Sequence, residues 1–170
     1  MNINKSDSKN ILGFFKGFGY AFKGILDCVK SERNMRFHIG AAALTIVLMQ
    51  FYELSGGETS AVFICIGAVI SLELLNTAIE NTVDMICREK NPYAKTAKDC
   101  AAGAVLAAAA ASVGVAVKLF WDTEKFAEIF SYFSERPWLA VFLIAGIILW
   151  LAWVFSAPVK NKTKDKDKNI

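Results

Sequence analysis

The chain contains four long, mainly apolar stretches, which are separated by shorter charged segments. The four stretches are residues 39–52, 59–86, 100–119 and 137–157. Each predicts a membrane-crossing helix, because about 20 apolar residues at 1.5 Å per residue match a hydrocarbon core of about 30 Å. The first stretch has only 14 residues, so its helix must begin within the polar segment 31–38. The pattern predicts an all-α integral membrane protein.

Two further segments carry amphipathic patterns. Residues 11–29 place phenylalanine and isoleucine on one helical face and a lysine at every seventh position on the other. This is typical of a helix in the headgroup region, although packing against the spans would give the same pattern. Residues 122–136 carry an apolar face behind possible caps at Asp122 or Thr123, so we expect a second interfacial helix.

The connections between the central spans are polar. Residues 53–60 contain a Gly-Gly break and serine or threonine side chains able to cap the next helix, which predicts a short turn outside the membrane. Residues 87–99 predict a polar loop with a turn at Asn91-Pro92. The third span is rich in alanine, which favours close packing and subunit contacts, although alanine's helix propensity alone would account for the helix.

Basic residues concentrate on one side of the predicted spans. The first 38 residues hold seven, residues 88–98 four and the tail 158–170 five of the 19 lysines and arginines. The positive-inside rule makes that side cytoplasmic, with both termini there. The first ten residues lack the apolar region of a signal peptide, so we expect the spans to direct insertion. The four cysteines and single histidine make no zinc pattern, and we expect free thiols.

The second span carries one polar stripe. Glu73, Asn76, Thr77, Glu80 and Asp84 recur at helical spacing and share one face. A carboxylate at bilayer depth costs roughly 2.5–3.5 kcal/mol, so it is rarely present without a use. Counting along the helix places Glu73 roughly 12 Å below the cytoplasmic surface, whereas Glu80 reaches that surface. A soluble helix would show the same stripe, but the neighbouring apolar stretches argue for a membrane.

Acidic groups at the cytoplasmic mouth of such a site suit Mg²⁺, which takes one or two carboxylates together with substrate phosphates. Glu32 and Glu80 are the candidate ligands, and Lys98 can balance phosphate charge. Glu73 lies about two turns deeper, where it would meet a lipid hydroxyl as a general base. The alternative is a small proton-coupled transporter or channel that uses Glu73, Glu80 and Asp84 as a relay.

Three motifs resemble those of the prokaryotic diacylglycerol kinase and undecaprenol kinase family. They are SERNMRFH at 31–38, LELLNTAIENTVD at 72–84, and AKD followed by AAGAV within 97–105. The resemblance spans residues 11–121. It implies a homotrimeric lipid kinase of the bacterial cell membrane, with one surface helix and three spans per subunit. Such an enzyme moves the γ-phosphate of ATP onto a lipid hydroxyl with Mg²⁺.

The resemblance also implies roles for individual residues. Glu73 matches the catalytic base, and Asn76 is its neighbour in the site. Glu32 and Glu80 match the magnesium ligands. The implied nucleotide-contacting residues are Tyr20, Glu89, Lys98 and Asp99.

Two positions favour the polyprenol branch of the family. His38 stands where the diacylglycerol branch has an acidic residue, and Gly103 follows the AKD motif as in undecaprenol-kinase-like members. The expected acceptor is therefore undecaprenol, with diacylglycerol as the alternative. The expected partners are the membrane lipid, ATP and two further copies of the chain, with no nucleic acid.

The C-terminal third lies outside the resemblance, which gives it no role. The predicted organisation is a polar segment 1–10, a kinase-like membrane domain 11–121, an outer interfacial helix 122–136, an additional span 137–157 and a basic disordered tail 158–170.

Overall fold

The computed structural model describes the backbone of residues 5–156 and the side chains from residue 13 onward. This part of the chain contains six α-helices and no strand, which confirms the predicted all-α fold. The helices are α1 Lys5–Ser31, α2 Arg33–Leu48, α3 Gly56–Ile86, α4 Pro92–Phe120, α5 Thr123–Glu135 and α6 Pro137–Phe155. A 3₁₀ turn, Met49–Phe51, follows α2 directly. The predicted tail 158–170 lies outside the described residues.

Three of these helices, α3, α4 and α6, are long and apolar enough to cross a membrane. With 16 residues, α2 is too short alone, but with its 3₁₀ turn it reaches about 30 Å, the hydrocarbon thickness. It achieves this by beginning at Arg33, inside the polar segment, as the sequence predicts. The 31 residues of α3 extend about 46 Å, so one or both of its ends project beyond the hydrocarbon.

Capping side chains fix where α3 begins. Ser55 and Glu58 form a capping box, in which Ser55 Oγ accepts from Glu58 N and Glu58 Oε2 accepts from Ser55 N. This box satisfies backbone N–H groups that the first turn leaves without partners. The Gly-Gly pair, Gly56 and Gly57, therefore lies in the first turn of α3 and is not a break outside the helix as predicted.

The polar loop before α4 is shorter than the sequence suggests. Asn91 Oδ1 accepts hydrogen bonds from Tyr93 N and Ala94 N, and Pro92 occupies the first helical position, where its fixed φ favours a helix. The loop is therefore limited to residues 87–91. Asp122 caps α5 in the same way, as predicted.

The helices pack in alternating directions. At the start of α2, Arg36 contacts Trp153 near the end of α6, whereas Phe51 beyond the other end packs on Tyr132 and Phe133 of α5. α3 and α4 pack along each other. The phenylalanine face of α1 is exposed in the single chain.

Candidate active site

Two neighbouring polar side chains on α3 are buried with unused hydrogen-bonding capacity. Glu73 is 2% exposed, and its Oε2 atom has no hydrogen-bond partner among the described residues. Asn76, one turn later, is 8% exposed, and its Oδ1 atom is likewise without a partner. A buried polar group left unsatisfied costs about 1–3 kcal/mol, so its retention indicates a ligand or a reaction that uses it.

Glu73 and Asn76 interact with Glu80, which lies further along the same polar stripe. Asn76 Nδ2 donates to Glu80 Oε1 over 3.4 Å, which points the remaining Asn76 oxygen away from Glu80. The carboxylates of Glu32 and Glu80 both lie close enough to Glu73 to interact with it electrostatically. Glu32 is the N-cap residue of α2, so two helices supply the three carboxylates. Such a concentration of negative charge attracts cations.

The position of Glu73 is supported from the surface helix. Thr77 Oγ1 donates to the Glu73 carbonyl over 3.0 Å, and Cys28 Sγ of α1 lies 3.2 Å from the same hydroxyl. Both side chains are buried. The contact brings the end of α1 against α3, four residues before Glu32. The sequence indicates Thr77 through the stripe, whereas Cys28 carries no local signal beyond its position on the apolar side of α1.

A second group lies at the cytoplasmic end predicted for the stripe. Lys98, on the second turn of α4, forms an ion pair with Asp84 near the end of α3. The side chain of Lys98 is 20% exposed and that of Asp84 is 47% exposed. This pair joins the second and third sequence motifs in space.

Three predicted nucleotide-contacting residues stay on the surface. Tyr20 of α1, Glu89 of the loop 87–91 and Asp99 of α4 are exposed. In the described part of the chain, none of the three has a hydrogen bond to Glu73, Asn76 or Glu80. The predicted residues thus form an acidic group around the buried Glu73, an outer ion pair and a set of separate surface positions.

The donor chemistry of the acidic group fits Mg²⁺ held together with phosphates. Within residues 13–156, no cluster of three or more histidine, cysteine or acidic side chains could hold a metal ion unaided. Mg²⁺ does not need such a cluster, because it keeps several waters and commonly uses one or two carboxylates plus substrate phosphates. Glu32 and Glu80 supply carboxylates, and the Asn76 oxygen without a partner supplies a further acceptor.

One buried charged residue was not indicated as part of the site by the sequence. Arg36 is 7% exposed and lies one helical turn after Glu32. The sequence counts Arg36 among the basic residues of the first 38 and includes it in the first motif, 31–38, without giving it a role of its own. Its burial becomes evident only when α6 packs against α2.

The sequence matches the family described as prokaryotic diacylglycerol kinase over residues 19–120. An undecaprenol kinase of Bacillus subtilis is 44% identical over 119 residues, which cover 69% of this chain and 97% of that protein. A diacylglycerol kinase of Synechocystis is 41% identical over 99 residues, covering 56% of this chain and 55% of that protein.

A diacylglycerol kinase of Escherichia coli strain K12 is 29% identical over 118 residues, covering 68% of this chain and 97% of that protein. No solved structure matches the chain. The family match ends at the last residue of α4, so α5 and α6 lie outside it.

Proposed function

This chain belongs to the prokaryotic diacylglycerol kinase family and is a lipid kinase that uses ATP, and we propose that its acceptor is undecaprenol and its metal Mg²⁺. The observation that carries the proposal is the buried Glu73 carboxylate, whose Oε2 atom has no hydrogen-bond partner within residues 13–156, beside the acidic side chains of Glu32 and Glu80. This observation supports a base at membrane depth next to a proposed site for a metal nucleotide. Membership of a kinase family leaves the transporter alternative without support.

In the proposed mechanism, Glu73 is the general base. The lipid hydroxyl donates to Glu73 Oε2, transfers its proton there and attacks the γ-phosphorus, while the bond to the ADP oxygen breaks. Asn76 Oδ1 accepts from groups brought in by the substrates, because its amide nitrogen is already used by Glu80. When bound to Glu32 and Glu80, Mg²⁺ would neutralise phosphate charge. Catalysis then comes mainly from alignment and electrostatics.

We propose that the nucleotide enters from the cytoplasm at the Lys98 end of the site. Lys98 already forms a contact that bridges α3 and α4, and phosphate oxygens could share its three donors with Asp84. Tyr20, Glu89 and Asp99 are exposed and free of the packed interior, so they are accessible to a soluble ligand. The predicted cytoplasmic orientation of both termini places this end in ATP-containing water.

The surroundings of His38 support a prenyl acceptor. His38 lies on the wall of an apolar cavity of about 100 Å³ between α2, α3 and α4. Val69 and Ile70, on the same wall, precede Glu73 by about one turn. A short part of a prenyl chain fits this space without needing hydrogen-bond partners, whereas the glycerol ester groups of diacylglycerol would need such partners if they entered it.

We further propose a homotrimer, as the family resemblance implies. Many large apolar side chains of the single chain are exposed, including Phe63 and Ile64 of α3 and Leu106 and Val113 of α4. These faces are available to lipid or to neighbouring subunits.

The test is a comparison of acceptors by the purified protein in mixed micelles. Labelled phosphate transfer from Mg-ATP is measured with undecaprenol and diacylglycerol offered separately. We expect undecaprenol to have the higher kcat/KM. A higher value for diacylglycerol would assign the chain to the other activity of its family, and no transfer to either lipid by folded protein would overturn the kinase proposal.

A further inference from the structure

The most densely bonded charged side chain of the described residues is Arg36, at the junction that we call the α1–α2 elbow (residues 29–36). Arg36 is 7% exposed. No carboxylate within residues 13–156 pairs with it, and its donors instead reach neutral oxygen atoms. Burying a guanidinium is costly unless its donors are satisfied, so these contacts define its role.

The oxygen atoms that accept from Arg36 belong to the ends of two helices. Arg36 Nε donates to the Val29 carbonyl and Nη2 to the Lys30 carbonyl, each over 2.8 Å, at the end of α1. Arg36 Nη1 donates to the Trp153 carbonyl over 2.8 Å and to Ser156 Oγ over 3.2 Å, at the end of α6. The last carbonyls of a helix lack intrahelical partners and carry partial negative charge, which suits a cation.

Further contacts hold the end of α6 on the same elbow. Trp150 Nε1 donates to the Arg36 carbonyl over 3.1 Å, and the guanidinium lies over the Trp153 ring, 5.1 Å from its centroid. The Trp150 indole packs directly over Gly40, where a Cβ atom would overlap it. The contact with α6 therefore depends on the absence of a side chain at position 40.

The elbow carries Glu32, the proposed metal ligand. Along the chain, Glu32 follows Val29 and Lys30, whose carbonyls accept hydrogen bonds from Arg36. It precedes Arg36 by about one helical turn. The Glu32 backbone N–H donates to the Cys28 carbonyl over 2.8 Å, and Cys28 contacts Thr77 beside Glu73. The angle between α1 and α2, and with it the Glu32 position relative to Glu73, is fixed by Arg36 on one side and by Cys28 on the other.

We propose that Arg36 and the C-terminal end of α6 form a brace that holds Glu32 in position to bind the metal nucleotide. Arg36 is then a positioning residue, and α6, which lies outside the residues that match the family, is a built-in support of the active site. This inference rests on the proposed role of Glu32. Outer partners that orient a metal ligand typically contribute 10–100-fold to metal affinity.

The test uses full-length variants that loosen the brace in different ways. Gly40→Ala displaces Trp150, and Arg36→Lys keeps the charge but loses the planar fork. Trp150→Phe keeps an aromatic ring but removes the indole N–H that donates to the Arg36 carbonyl, together with part of the ring. Gly146→Ala is the matched control, because a Cβ there meets no atom within 4 Å. Glu32→Gln removes the charge of the proposed metal ligand and shows how much Glu32 itself contributes to metal binding.

The probe is Mn²⁺, whose binding is titrated by electron paramagnetic resonance in the presence of a non-hydrolysable ATP analogue. The Mg²⁺ dependence of lipid phosphorylation is measured in parallel for the same variants. We expect Gly40→Ala and Arg36→Lys to weaken Mn²⁺ binding about ten-fold and to raise the half-activating Mg²⁺ concentration equally, with kcat at saturating Mg²⁺ nearly unchanged. Trp150→Phe should cause a smaller shift in the same direction, and Gly146→Ala none.

If Glu32→Gln loses Mn²⁺ affinity while Gly40→Ala and Trp150→Phe bind like the wild type, the brace is wrong and the proposed function stands. If Glu32→Gln also binds Mn²⁺ like the wild type, Glu32 is not a ligand, and the brace falls together with that assignment. Should Arg36→Lys fail to fold, the other two variants still decide between these results.

Discussion

Replacing Glu73 by methionine should make the protein more stable while abolishing its activity. Glu73 is 2% exposed, and its Oε2 atom has no hydrogen-bond partner in the described part of the chain. A buried polar group without a partner costs about 1–3 kcal/mol, and methionine is an unbranched apolar residue of similar length that adapts to irregular surroundings. We therefore expect the free energy of unfolding to rise by about 1–3 kcal/mol.

The assay is reversible unfolding in detergent micelles by added denaturing detergent, followed by circular dichroism. Met35→Ala is the reference variant against which the change for Glu73→Met is compared. Met35 is fully buried, so its truncation should lower the free energy of unfolding by about 2–5 kcal/mol. If Glu73→Met lowers stability instead, while Met35→Ala responds as expected, the Glu73 carboxylate holds the helices together and is not retained for chemistry.

Two further predictions concern the nucleotide end and the orientation. Lys98→Met should raise the KM for ATP about ten- to a hundred-fold, because a charged hydrogen bond to phosphate contributes about 1.5–3 kcal/mol. Stability should change by less than about 1 kcal/mol, because the ion pair with Asp84 is partly exposed. An unchanged KM would remove Lys98 from the nucleotide site. A chain whose only cysteine is Cys87, in the loop 87–91, should react with an impermeant maleimide in sealed vesicles only when the cytoplasmic face is outside. Labelling from the opposite face would reverse the proposed orientation.

The helices could be predicted because their signals are local. The bilayer imposes a length on each span, so apolar stretches predict α3 and α6 with small errors at the ends, whereas α4 begins at Pro92, well before the predicted start at residue 100. The same periodicity places Glu73, Asn76 and Glu80 on one face before any packing is known. The errors arose where capping decides the boundary, as at Ser55, whose capping box extends α3 across the glycine pair.

The contacts that assemble the site could not be predicted, because they join distant parts of the chain. Arg36 binds Trp153 and Ser156 across more than a hundred residues, and Cys28 meets Thr77 across 49. Helical periodicity reports which face is apolar and not which partner covers it. The role proposed for α6 therefore comes from the packing of the helices alone.

The most direct test of the catalytic role of Glu73 is the rate of labelled phosphate transfer from Mg-ATP to undecaprenol by Glu73→Gln beside the wild type. Glutamine keeps the size of the side chain and removes its basicity. The proposed mechanism predicts a fall in kcat of about 10²–10⁴-fold, with nucleotide binding retained. A variant that folds and transfers phosphate within about ten-fold of the wild-type rate would contradict the assignment of Glu73 as the base.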